Sequence, residues 1–386
     1  MTSSSQYLVV LAAGGTGGHV FPAESLAVEL QGRGCRLALI TDRRGDAYGG
    51  TLGNIETHRV RAGGIAGKSF QARIRSASEL IVGTWQARRL LKDLRPQAVV
   101  GFGGYASIPT MMAATFGGYN TMIHEQNAIL GRANRVLASR VDKIATSFAD
   151  VRSIPKENEN KVVYTGMPVR PAINEMREAS YPELNETTPI RILVLGGSQG
   201  ARVLSEVLPQ AFGGLEEGLR KRLDIVQQCR PEDLESAREA YRRFNVKATL
   251  STFFDDIPEI MTSAHLLISR AGASTVAEAT AIGRPAILVP YPYATDDHQS
   301  FNAHALDECG GGWLMSQDVF TPELVLARLQ SLLQVPELLR KAANCAHAAG
   351  RPNAAERLAD TVFDMLKPNG NAGQGPGNET HQGRAA

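Results

Sequence analysis

The chain has 386 residues, 43% of them apolar, enough to bury the cores of two or three domains. Lys and Arg total 41 against 39 Asp and Glu, a balance that argues against a general nucleic-acid binder, so any anionic ligand must be met by local groups. Four cysteines (Cys35, Cys229, Cys309, Cys345) stand far apart with no C-x-x-C pair, which speaks against a disulfide framework and a zinc site and suits a reducing cytoplasm.

Residues 1–6 are short and polar, without a basic n-region or a cleavage site, so no secretory signal is expected. The first element is the apolar run Tyr7 to Ala13, of strand length, ending in Gly14-Gly15-Thr16-Gly17-Gly18-His19 and opening into a helical stretch through Leu30. A second strand is expected over Arg36 to Thr41. Residues 96–123 carry no charged side chain, yet Gly101, Gly103, Gly104, Pro109, Gly117 and Gly118 interrupt them. They read as a buried strand (Ala98 to Phe102), a glycine turn and a short helix rather than a membrane span. Further strands are expected at Asn120 to His124 and Lys143 to Thr146. The opening unit then recurs: Ile190 to Leu195 runs into Gly196-Gly197-Ser198-Gln199-Gly200-Ala201 and a helix. Ile225 to Gln228, His265 to Ser269 and Ala286 to Pro290 complete the set. Strands alternating with helices imply parallel sheets, so the fold class is α/β with two Rossmann-like doubly wound domains facing across a cleft. The expected division is 6–168 and 169–366, hinged near Thr165 to Pro171, with a disordered tail at 367–386. Ligands should bind where the carboxyl ends of the strands face one another.

A glycine turn at a strand tip lets backbone N–H groups approach an anion, and the helix that follows adds its positive dipole end, so both halves offer a phosphate seat. The dinucleotide fingerprint G-x-G-x-x-G is broken, because Val20 stands where the third glycine belongs, so a nicotinamide enzyme is only an alternative despite Asp42 near the second strand's end. His19 closes the first turn at a helix start, which favours a neutral imidazole able to accept a proton; capping the turn is its simpler role. His124-Glu125-Gln126-Asn127 sets four polar side chains at a buried strand's tip, and Glu125 is a second candidate base, or a helix-start carboxylate. In Ser269 to Glu278, Thr275-x-x-Glu278 also spells a capping box. Gln299 and Asn302 share a helix face that would offer amides to hydroxyl-rich ligands, and Asp296-Asp297 reads as N-terminal caps rather than a metal site. Between Lys68 and Arg95, Phe70, Ile74, Ile81 and Trp85 fall within about 60° of one another on a helix, beside Arg73, Arg75, Arg88 and Arg89. Such a stripe packs on the protein's own sheet or meets an anionic membrane surface.

These blocks, with Gly-Gly-Tyr-Ala-Ser (103–107), Thr-Gly-Met-Pro-Val-Arg (165–170) and Asp-His-Gln (297–299), resemble the MurG family of membrane-associated N-acetylglucosaminyltransferases of peptidoglycan synthesis, from about Leu8 to about Ala305. The resemblance implies a GT-B fold, UDP-N-acetylglucosamine (UDP-GlcNAc) as donor with no cofactor required, undecaprenyl-pyrophosphoryl-N-acetylmuramoyl-pentapeptide (lipid I) as acceptor and lipid II as product. It implies an enzyme peripheral on the inner face of the plasma membrane, with no nucleic-acid partner. By position, Thr16, Gly17 and Gly18 would lie against the donor, Asn127 near the transferred sugar, and Arg170 and Ser198 on the diphosphate. Phe254 would flank uracil, Ala273, Ser274, Thr275, Val276, Ala277 and Glu278 would surround the nucleoside with Glu278 on the ribose, and Gln299 would bind sugar hydroxyls. Tyr105 and Ser107 fall on the acceptor side, and the stripe of Phe70, Ile74, Ile81 and Trp85 corresponds to a membrane-docking patch. Ile108 departs from the family's small glycine before the proline. The implied chemistry is a single inverting displacement with His19, or second Glu125, as base and no metal. Another GT-B UDP-sugar transferase acting on a glycolipid is the nearest alternative.

Overall fold

The computed structural model describes residues 7–14, 17–42, 50–63, 70–197 and 200–367. Two all-parallel sheets organise them. The first contains β1 (Leu8–Ala12), β2 (Arg36–Thr41), β3 (Glu56–Arg59), β4 (Ala98–Gly101), β5 (Asn120–Glu125), β6 (Lys143–Thr146) and β7 (Val162–Tyr164), in the order β3-β2-β1-β4-β5-β6-β7. The second contains β8 (Ile190–Leu195), β9 (Leu223–Gln228), β10 (Ala248–Ser251), β11 (Leu266–Ser269), β12 (Ala286–Leu288) and β13 (Gly312–Leu314), in the order β10-β9-β8-β11-β12-β13.

In each sheet the order reverses beside the strand that leads into a glycine turn, β1 in one and β8 in the other, and that reversal opens a crevice at the carboxyl edge. The central strands are apolar throughout because helices cover both faces: every residue of β1 and β4 is buried. On one face of the first sheet Leu26 and Leu30 of helix Gly17–Gly32 pack on Val9, Leu11 and Leu39, and on the other Ala87 and Leu91 of helix Phe70–Leu94 pack with Met111 on Val10 and Ile40. The four strands not anticipated, β3, β7, β10 and β13, are the four sheet edges. An edge strand is covered less completely, so its sequence signal is weak or short: β3 is Glu-Thr-His-Arg, and β7 and β13 are only three residues long.

The last helix, Ala354–Leu366, departs from the expected division. It leaves the second half and returns to the first, where Leu358, Ala359 and Val362 join the core built on β1 and helix Gly17–Gly32. Arg33 pairs with Asp360 at 2.5 Å, and the Arg357 Nε donates to the Thr165 carbonyl at 2.9 Å. Residues 169–366 are therefore not one contiguous unit, and the chain crosses between the halves twice. No helix among the described residues is long and apolar enough to cross a membrane. Residues 368–386, most of the expected tail, lie outside the described residues.

Candidate active site

His19 sits in the first turn of helix Gly17–Gly32, against the glycine turn that follows β4. Gly103 and Gly104 have φ of 77° and 68°, and a Cβ on either would lie 3.4 and 3.3 Å from the imidazole ring. Glycine here provides both the left-handed backbone and the room for the ring. Burial lowers the His19 pKa below the ordinary histidine range. The nearby Glu125 carboxylate, hydrogen bonds with Gln126 and the Phe102 carbonyl oppose that lowering, and His298, from the other half of the chain, adds to it.

Glu125 ends β5 fully buried, and its carboxylate is saturated. Oε1 accepts from the Asn127 N–H at 2.9 Å and the Asn127 amide at 3.3 Å; Oε2 accepts from the Gly131 N–H and the Asn134 amide, both at 2.8 Å. Four donors fill the lone-pair sites of a carboxylate, so Glu125 shapes the loop from 125 to 134 and its charge acts on His19 from a fixed position. Ser107 is also fully buried and its hydroxyl donates to the Gly104 carbonyl at 3.1 Å, so it does not face the crevice. Tyr105, half-buried, hydrogen-bonds Arg132.

The two halves meet edge to edge. Asn302, fully buried in helix His298–Glu308, accepts from the Ala128 N–H at 2.9 Å and donates to Asn127 Oδ1 at 3.1 Å and the Ala271 carbonyl at 3.0 Å. It is a tie between the halves and offers nothing to a ligand, contrary to the shared face expected for Gln299 and Asn302. Gln299 itself accepts from the Tyr291 N–H at 2.9 Å. Asp297 is the N-cap of helix His298–Glu308 and accepts from the Ser300 hydroxyl at 2.7 Å, whereas Asp296 pairs across the halves with Arg132 at 2.7 Å and Arg135 at 3.5 Å. Both aspartates adopt left-handed backbone, φ 53° and 54°.

On the opposite edge, helix Ala273–Ile282 starts at Gly272, with no side chain capping it. Thr275 and Glu278 therefore lie inside the helix, and the capping-box reading of Glu278 does not hold. The N–H groups of Ala273, Ser274 and Thr275 are those an α-helix leaves without intrahelical acceptors. Glu278 forms a two-point pair with Arg170 of the linker, Nε to Oε1 2.9 Å and Nη2 to Oε2 3.0 Å. Burial pushes the Glu278 carboxyl up, and Arg170 opposes it. Val276 and Ala277 face the other way, lining a cavity of about 390 Å³ between the halves with Ser147, Phe148, Tyr164 and Phe301. That cavity lies behind the helix, away from His19, and is not the candidate site. Phe254 is half-buried in the loop that follows β10. Thr16 and Ser198 lie outside the described residues, as do the side chains of Phe70 and Ile74.

Residues 9–146 match the glycosyltransferase family 28 N-terminal domain and residues 191–358 the glycosyltransferase family 28 C-terminal domain. Two relatives are both named UDP-N-acetylglucosamine--N-acetylmuramyl-(pentapeptide) pyrophosphoryl-undecaprenol N-acetylglucosamine transferase. The one from Paramagnetospirillum magneticum is 60% identical over 364 residues, covering 94% of this chain and 98% of the relative. The one from Rhodospirillum rubrum is 53% identical over 354 residues, covering 92% and 91%. The crystal structure of Acinetobacter baumannii MurG superposes with a TM-score of 0.77 at 30% identity, covering 93% of this chain and 100% of that one. The chain belongs to the MurG family of glycosyltransferases. Its fold is the GT-B arrangement that the motifs implied. A UDP-GlcNAc 2-epimerase from Neisseria meningitidis shares that fold alone, with a TM-score of 0.62 at 15% identity.

Within this MurG-family site, sequence reasoning did not find Arg132, Asn134, Asn302 and Arg270 in the parts they play. Arg270 is buried and donates to the Val289 and Pro290 carbonyls, both at 3.1 Å, and to Gln317 at 2.7 Å, holding the loop after β12. Its place beside Ala271 and Gly272 at a strand tip was the available signal.

Proposed function

We propose that this chain is an inverting glycosyltransferase that moves N-acetylglucosamine from UDP-GlcNAc to the 4-hydroxyl of the muramoyl sugar of lipid I, making lipid II for peptidoglycan. The observation that carries the reading is the opposition of two chemistries across the crevice: a half-buried imidazole held toward its neutral form on one edge, and on the other an uncapped helix start beside the Arg170–Glu278 pair. A diphosphate suits the second edge, where helix N–H groups and a guanidinium meet negative charge. Glu278, held in the same place, is positioned to accept hydroxyl hydrogen bonds from a ribose once Arg170 turns to phosphate. Gln299, Ser274, Thr275 and Phe254 complete the donor side in this reading, with Asn127 toward the transferred sugar and Tyr105 toward the acceptor.

In the reaction the acceptor hydroxyl oxygen attacks the anomeric carbon from the face opposite UDP; its proton passes to His19 Nε2 as the bond to the diphosphate oxygen breaks, and UDP departs as the anion. Glu125 stabilises the imidazolium that results, and the helix N–H groups with Arg170 stabilise the leaving charge.

Docking on an anionic membrane follows from helix Phe70–Leu94, where Ile81 and Trp85 are 71% and 64% exposed beside exposed Arg88 and Arg89. Packing on the protein's own sheet, the other role for this stripe, is taken instead by Ala87 and Leu91. The enzyme would thus sit on the inner face of the plasma membrane, where its acceptor is anchored. The test is transfer from UDP-GlcNAc to a soluble lipid I analogue: the wild type turns over, and His19→Ala loses ~10²–10⁴-fold in kcat while binding UDP normally. Near-normal turnover by His19→Ala removes the imidazole from the role.

A further inference from the structure

We infer that Gln126 is a positioning residue that locks His19 in the tautomer bearing its proton on Nδ1, so that Nε2 presents a lone pair. This deepens, and rests on, the reading of His19 as the base.

The orientation of one amide fixes the tautomer. Gln126 is buried, and its Nε2 lies 2.9 Å from the Phe102 carbonyl and 3.1 Å from the His124 carbonyl. Carbonyl oxygens only accept, so the amide cannot be turned over: the NH₂ must face them and Oε1 must face outward. Oε1 stands 3.2 Å from His19 Nδ1. Since an amide oxygen only accepts, Nδ1 must carry the hydrogen, and a neutral imidazole then has its lone pair on Nε2.

The lock has a backing. His124 Nδ1 lies 3.1 Å from the same Gln126 nitrogen, while its Nε2 faces the Ser147 hydroxyl at 3.3 Å and the Gly166 carbonyl at 3.5 Å. The Ser147 hydroxyl donates to Met167 Sδ at 3.4 Å, so its oxygen and the Gly166 carbonyl both face His124 Nε2 as acceptors, which leaves His124 Nδ1 as the acceptor facing Gln126. The two Gln126 amide hydrogens are shared among the Phe102 carbonyl, the His124 carbonyl and His124 Nδ1, so a directional chain runs from His19 Nδ1–H through Gln126 to His124. The titratable groups around His19 are Glu125, His124 and His298. Glu125 is saturated by its four donors, so the acceptors that select the tautomer are Gln126 Oε1 and, beside it, the Phe102 carbonyl.

The decisive measurement is the two-bond ¹⁵N–¹H correlation spectrum of the full chain labelled in histidine, with His19 assigned by the signals missing from His19→Gln. At pH 7.5 the wild type should show His19 protonated on Nδ1 and bare on Nε2. The near-isosteric Gln126→Met, which offers no such acceptor, should shift His19 toward the Nε2–H form and lower kcat roughly 10–100-fold, less than loss of the imidazole because the productive tautomer stays accessible. UDP affinity should not change. An Nε2-protonated His19 in the wild type overturns the inference whether or not the variant folds. So does an unchanged tautomer in a folded Gln126→Met. A switched tautomer with undiminished turnover upholds the lock and instead sinks the assignment of His19 as base.

Discussion

Glu125→Gln separates the two carriers of the proton. The substitution keeps shape and removes charge, so a catalytic carboxylate would lose turnover while the protein kept its stability. The structure requires otherwise. Each carboxylate oxygen accepts two donors, Asn127 N–H with the Asn127 amide on one side and Gly131 N–H with the Asn134 amide on the other. A glutamine presents one oxygen and one NH₂, so whichever way it turns, two donors face two hydrogens. Leaving a buried donor unsatisfied costs about 1–3 kcal/mol each, so the pair amounts to roughly 2–6 kcal/mol, reduced by whatever the loop from 125 to 134 relaxes. At about 2–4 °C per kcal/mol for a domain of this size, the transition of the first half should fall by roughly 4 °C or more. Thermal unfolding by calorimetry, run beside transfer kinetics with a soluble acceptor analogue, reads both quantities. An unaltered melting transition joined to a kcat loss above about 10²-fold would refute the structural role and return proton transfer to Glu125.

Other consequences are as direct. Burial holds the His124 pKa at about 4 against an ordinary 6.5. The unfolded chain then binds the proton first as pH falls, so stability is full above pH 6.5 and drops by about 3 kcal/mol by pH 4; denaturant titrations at pH 7 and 4.5 should show the loss, and a flat profile contradicts it. Glu278→Ala removes an acceptor that would be hydrogen-bonded to ribose and should weaken UDP binding roughly 10–100-fold by calorimetric titration; equal affinity would leave the residue only its pairing with Arg170. Asn302→Leu deletes three hydrogen bonds, two of them between the halves, and should destabilise by about 3 kcal/mol, whereas Asp296→Ala, facing an Arg132 side chain that is 60% exposed, should change stability by less than about 1 kcal/mol; the reverse order would show that the ion pair holds the halves. Trp85→Ser should reduce cosedimentation with anionic vesicles at least tenfold, since an exposed Trp has about 1.5–3 kcal/mol of apolar burial to gain there, and undiminished binding would move the membrane contact elsewhere.

The α/β class, the paired glycine turns and the central strands of both sheets are properties of the sequence itself. A strand buried on both faces must be apolar throughout, as Leu8–Ala12 and Ile190–Leu195 nearly are, and a backbone that turns sharply beside an imidazole must be glycine, as at Gly103 and Gly104. The types of the site residues were equally legible, because polar groups such as His19 and Glu125 at the tips of such strands have no packing reason to be there. What each one does was decided only by tertiary structure. Glu125 is saturated by donors two to nine residues away, and Glu278 faces an arginine 108 residues distant; Asn302 turned from ligand contact to interdomain tie, and helix Ala354–Leu366 returned to the first core. Those outcomes depend on which hydrogen-bond partners the fold carries to within about 3 Å, and the one-dimensional order of residues holds no record of distances between segments that meet only once the chain has closed on itself.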